Sequence, residues 1–122
     1  PLSPGIHGLS NHLLDTPWPK VARGKDDLAR LLATADEPTA DDLFAILADR
    51  TPAPDHLLPD TGVSLDWERL LSPLFITSPT YGTRSSTVIL VDRSGQCTFV
   101  ERSYNGAADH PRTVEYRFEV IT

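Results

Sequence analysis

The stretch Tyr81-Gly82-Thr83-Arg84-Ser85-Ser86-Thr87-Val88-Ile89-Leu90-Val91 joins a turn to an apolar run, and its reading sets the fold. Residues 86–91 are rich in β-branched side chains, which suit a pleated strand. Apolar residues fall on both alternations, Val88 and Leu90 on one and Ile89 and Val91 on the other, so a strand covered on both faces is expected. Gly82 lacks a Cβ and suits either a positive φ or a close approach of another segment. Arg84 stands at the mouth of the strand with a rigid, permanently charged fork of donors, suited to a carboxylate, a phosphate or a thiolate. Two readings of Arg84 are open: an ion pair with an acidic residue that pins the loop, or a site residue.

Downstream, Asp92-Arg93-Ser94-Gly95 reads as a hairpin turn with Gly95 in the left-handed position. The returning strand, residues 96–103, carries Cys97, Phe99 and Glu101 on one face and Thr98, Val100 and Arg102 on the other. Residues 104–112 form a loop with an Asn-Gly and a His-Pro pair. Residues 113–122 alternate strictly, placing Val114, Tyr116, Phe118 and Val120 inward and Glu115, Arg117 and Glu119 outward.

Upstream, residues 5–11 read as a short strand that ends in a turn. Thr16-Pro17-Trp18-Pro19 leads into a helix whose apolar positions are Val21, Leu28, Leu31, Leu32 and Ala35, with Pro19 in its first turn. Asp36-Glu37-Pro38 ends it. Thr39 with Asp42 three residues on reads as a capping box, and Leu43, Phe44, Ile46 and Leu47 form the apolar face of a second helix ending near Arg50. Asp26, Asp27, Asp41 and Asp42 are assigned to helix starts, as solvated caps. Residues 51–63 are a loop of a length that suits a lid or binding loop, with Leu57 and Leu58 available to cover a ligand or to tuck onto the helices. Residues 64–71 predict a short helix with Trp67, Leu70 and Leu71 inward, and residues 74–77 a short strand. The fold class is α+β, two helices followed by antiparallel strands.

With 122 residues the chain is one domain at most, and 39% apolar with 23% charged residues describes a globular chain. A net charge of −6 with scattered acids disfavours nucleic acid as a partner. Cys97 is the only cysteine, so no internal disulfide forms, and no apolar run reaches membrane-spanning length. His7, His12, His56 and His110 show no metal-ligand spacing. The expected compartment is the cytoplasm. The sequence contains no methionine, so the chain is expected to be a piece of something longer.

Gly8-Leu9-Ser10-Asn11, Leu14-Asp15-Thr16-Pro17-Trp18-Pro19-Lys20, the Tyr81–Thr87 block and Thr98-Phe99-Val100-Glu101-Arg102 together resemble the NRDE family, the family of transport and Golgi organisation protein two. The resemblance spans nearly the whole chain and matches the C-terminal portion of such proteins. The family's N-terminal cysteine and its Asn-Arg-Asp-Glu block are absent.

That family is similar in turn to N-terminal-nucleophile amidohydrolases, four-layer αββα sandwiches, of which this chain would supply half. The resemblance implies that a cysteine outside these residues attacks an amide carbonyl while its own α-amino group takes the thiol proton. It implies that Asn11 donates to the oxyanion and that Arg84 is the arginine near the nucleophile. Without it, Asn11 reads as a turn residue capping the following segment. Pro1, Cys97, Ser85 and Ser86 are not expected to act as nucleophiles, so the chain alone is not expected to be a competent enzyme. The second expectation is a non-catalytic carrier for lipid, acyl thioester or haem, with Arg84, Leu57 and Leu58 as ligand contacts. No resident cofactor is expected; haem enters only as a ligand of that carrier, and the positions of His7 and His12 do not favour axial ligation. The expected partners are the missing N-terminal half of the domain or a second copy, and a small amphipathic or amide ligand.

Overall fold

A computed structural model describes residues 1–105 and 110–121. Its order is α1 (Pro19–Thr34), α2 (Ala40–Leu47), a 3-10 turn (Asp55–Leu57), α3 (Leu65–Leu71), β1 (Ser85–Val91), β2 (Gln96–Ser103) and β3 (Arg112–Glu119). The fold is α+β, with one antiparallel sheet in the order β1-β2-β3.

The elements with local signals form as read. Pro19 opens α1, where a missing N–H is no loss. Thr39 and Asp42 close a reciprocal capping box at the start of α2: the Asp42 N–H donates to Thr39 Oγ1 (3.1 Å) and the Thr39 N–H to the Asp42 carboxylate (2.9 Å). In the hairpin, Gly95 has φ +87°, and Asp92 Oδ1 accepts from the Ser94 hydroxyl and from the N–H groups of Ser94 and Gln96.

The core lies between α2 and one sheet face. Phe44 is 2% exposed and packs with Val88 and Val100, flanked by Leu43, Leu47 and Leu90. The Arg102 guanidinium sits 4.0 Å from the Phe44 ring centroid and pairs with Asp41 at 2.8 Å, tying β2 to α2 from above. A smaller cluster sets Phe75 edge-on to Tyr104 at 4.9 Å.

Several expectations are corrected. Residues 5–11 form no strand among the described residues, because no neighbour offers them a ladder. Residues 74–77 likewise reduce to one bridge between Thr77 and Gly82. The second helix stops at Leu47, short of Arg50. Asp26 and Asp27 lie in the middle of α1, where Asp27 pairs with Arg30, not at a helix start. In α3 it is Glu68 that is buried, accepting from the Thr61 N–H and hydroxyl, while Trp67 turns outward against Tyr81.

The largest correction concerns the second sheet face. The register aligns Ile89 with Phe99 and Tyr116, and Val91 with Cys97 and Phe118. Ile89, Val91, Tyr116 and Phe118 are between 49% and 60% exposed, so β1 is covered on one face only and β3 turns its apolar residues to solvent. Cys97, between Val91 and Phe118, is nevertheless buried. Residues 106–109, in the loop with the Asn-Gly pair, lie outside the described residues.

Candidate functional site

The segment that carries Asn11 is closed by Asp15. Asp15 adopts a left-handed backbone (φ 58°), and its carboxylate accepts from the Gly8 N–H at 2.8 Å, from His7 Nδ1 at 2.8 Å and from Lys25 Nζ at 2.9 Å. The Asp15 N–H returns to the Gly8 carbonyl at 2.7 Å, so residues 8–15 form a tied loop. Gly8 itself packs so closely on α1 that an added Cβ would lie 2.5 Å from Val21 Cγ1. Donation from Lys25 first, then from His7 and Gly8, holds the Asp15 carboxyl far below the usual carboxylate range.

His7 has an acceptor on each ring nitrogen: the Asp15 carboxylate on Nδ1 and the Ser3 carbonyl on Nε2 at 2.9 Å. The two bonds form together only when both nitrogens carry hydrogen, so the pair of acceptors favours the imidazolium. Its pKa is raised accordingly, first by the bond to Asp15 and then by that to Ser3. A doubly engaged ring offers no lone pair to a metal, so haem ligation by His7 does not fit. No cluster of three metal-ligating side chains occurs among the described residues.

Three clefts meet at this loop. The largest, about 490 Å³, lies between residues 6–11, the apolar sides of α1 and α2, and the edge of β1. A second, about 450 Å³, is lined by Asn11, His12, Trp18, Leu57 and Pro59 among others. A third, about 270 Å³, runs from Asn11 to Glu68 and Tyr81. Asn11 and Trp18 line all three, so Asn11 stands at their junction. Leu57, 53% exposed, joins it in the second cleft, whereas Leu58 is half-buried and lines none of the three.

Arg84 stands apart. It is exposed, lines none of these clefts, and has no ion pair among the described residues. Its carbonyl accepts from the Tyr104 N–H at 2.8 Å, continuing the β1–β2 ladder. The loop before it is held by neutral groups. Thr83 exchanges bonds with Ile76 at 2.9 Å each, and Ser78 closes on Tyr81. Gly82 is there for close approach: its φ is not positive, and a Cβ would lie 2.9 Å from the Ile76 carbonyl oxygen.

Sequence reasoning missed Lys20. It lines both the first and third clefts and is half-buried, and that burial lowers its pKa. A signal existed: a cation in the first turn of α1 opposes the helix dipole, and no acid offsets it there. A local rule broken in this way marks a position worth attention. Ser10 Oγ, also in the first cleft, is buried without a hydrogen-bond partner among the described residues.

Residues 1–106 match the family model described as Transport and Golgi organisation 2. The chain is 38% identical over 113 residues to the Transport and Golgi organization protein 2 homolog of Bos taurus, covering 87% of this chain and 41% of that protein. It is 36% identical over 109 residues to the Mus musculus homolog (84% and 40%) and 35% identical over 125 residues to the Homo sapiens homolog (96% and 45%). This chain belongs to the Transport and Golgi organisation 2 family, the NRDE family. It spans less than half the length of these relatives.

Proposed function

We propose that this chain is the C-terminal part of an amide hydrolase of the N-terminal-nucleophile type, acting on non-peptide C–N bonds. The observation that carries the reading is Asn11, set by a tied loop at the meeting point of three clefts. The ties between Gly8, Lys25 and Asp15 position the Asn11 backbone, and its side-chain amide, exposed at that junction, can donate to a developing oxyanion. A cysteine thiolate from outside these residues attacks the carbonyl carbon, and the cysteine's α-amino group takes the thiol proton. The C–N bond then breaks as that proton passes to the leaving amine, and water releases the acyl group. Arg84 favours the thiolate through its positive charge. In this reading the open sheet face of Ile89, Val91, Phe99, Tyr116 and Phe118 packs on a second sheet, completing an αββα sandwich. The protein works in the cytoplasm, and no helix of the described residues is long and apolar enough to cross a membrane.

A second reading is favoured by the walls of the largest cleft, where Ile6, Leu9, Val21, Leu28, Leu43 and Leu47 are apolar. Here the domain is a carrier for lipid, acyl thioester or haem, with Arg84 holding the anionic group of the ligand and Leu57 and Leu58 covering the apolar part. Asn11→Ala in a protein carrying the whole family domain separates the two. Turnover that relies on the oxyanion donor falls about 10²–10³-fold, whereas carrier binding, which rests on Arg84, Leu57 and Leu58, persists. Hydrolysis of small amides and equilibrium binding of an acyl thioester, measured on the same variant, read out the difference.

A further inference from the structure

We infer that the outer edge of β1 is a docking edge for a β-strand from the remainder of the family domain, seated between β1 and residues 6–11. Three observations meet here. First, β1 is an edge strand, bonded to β2 alone among the described residues. The Asp92 N–H donates to Gln96 O and the Tyr104 N–H to Arg84 O, which fixes the alternation of the ladder. Even-numbered residues of β1 therefore face β2, and the N–H and C=O groups of Thr87, Ile89 and Val91 point outward.

Second, the largest cleft touches Thr87, Val88 and Ile89 in succession. Successive strand residues point to opposite faces, so a cleft that meets all three abuts the strand's edge and not a face. Its far wall is segment 6–11, which has the sequence of a strand and no ladder, with the Gly8 N–H and carbonyl both taken by Asp15.

Third, the floor of the cleft is α1, through Val21 and Leu28. It is α2 that covers β1, while α1 packs chiefly on α2 and has no comparable strand to cover. A helix that floors a cleft between the open edge of β1 and segment 6–11 has the shape of a helix-backed sheet lacking a strand. The relatives are more than twice as long as the portion matched here, so polypeptide to supply that strand exists within the family. An exposed edge of this kind is what strand addition uses. The docking requires no chemistry at Asn11 and stands or falls apart from the hydrolase reading.

The test is amide hydrogen exchange on this chain, alone and with a second polypeptide. That polypeptide is the part of the bovine relative outside the region this chain matches. Alone, Val88 and Leu90 are protected and Thr87 and Ile89 exchange freely. With the second polypeptide, Thr87 and Ile89 slow by about 100-fold. Ile89→Pro removes one outward N–H and leaves the β2 bonds, so it should weaken association at least about tenfold. If Ile89→Pro also loses Val88 protection, the exchange of the unsubstituted chain decides. Association that leaves Thr87 and Ile89 unprotected, or no association, overturns the proposal. So does protection that appears in the concentrated chain alone with a dimer mass, since the occupant is then a second copy.

Discussion

His7 is the residue whose chemistry is most fully determined by its neighbours. Two acceptors favour an imidazolium, and its pKa in the folded chain is raised above the ordinary 6.5. The stabilisation it provides is therefore fully present below about pH 6.5 and is lost as pH rises through the higher folded value. Urea unfolding across pH 5.5–8.5 should show stability falling over that window, and His7→Gln should flatten the fall. A profile identical in both proteins would contradict the assignment. Gly82 makes a second prediction at this scale. Its backbone approaches Ile76 so closely that Gly82→Ala should destabilise the chain by about 1–3 kcal/mol, measured by the same unfolding assay. An unchanged midpoint would mean that the turn relaxes freely.

At the scale of elements, what was readable in the sequence was what neighbouring residues decide. The capping box of α2 is an interaction between residues three apart. Thr39→Ala should lower stability by about 0.5–2 kcal/mol, and Thr39→Ser should retain most of it; a thermal melt of both variants checks this. Pro19 and the Asp92–Gly95 turn are equally local, which is why α1 and the hairpin fall where their residues place them. Residues 5–11 have strand composition but no partner, and a strand exists only through its ladder. Tyr116 and Phe118 alternate as an inward face should, yet nothing in alternation states what lies opposite. Asn11 stands in a motif block, and the folded chain sets it where three clefts meet. Lys25 and Asp15 close the loop onto α1, and Lys20 lines two of the clefts beside it; only the folded chain brings those groups together.

For the whole molecule, two features ask for more polypeptide: the open sheet face and the open β1 edge. A three-stranded sheet with helices on one side leaves apolar side chains of β1, β2 and β3 in water, at a cost that contact with a second layer removes. Asn11 and Arg84 lie at different places on this chain, so a shared site needs the rest of the domain between them. In the proposed hydrolase, Asn11 serves an acyl transfer to a cysteine supplied from there. The most direct measurement is intact-mass analysis of a protein carrying the whole family domain, quenched at intervals after mixing with a small activated acyl ester. The proposed hydrolase should form an acyl adduct on the N-terminal cysteine, about 10²–10³-fold more slowly in Asn11→Ala. No adduct at that cysteine, or one that forms equally fast in Asn11→Ala, would contradict it.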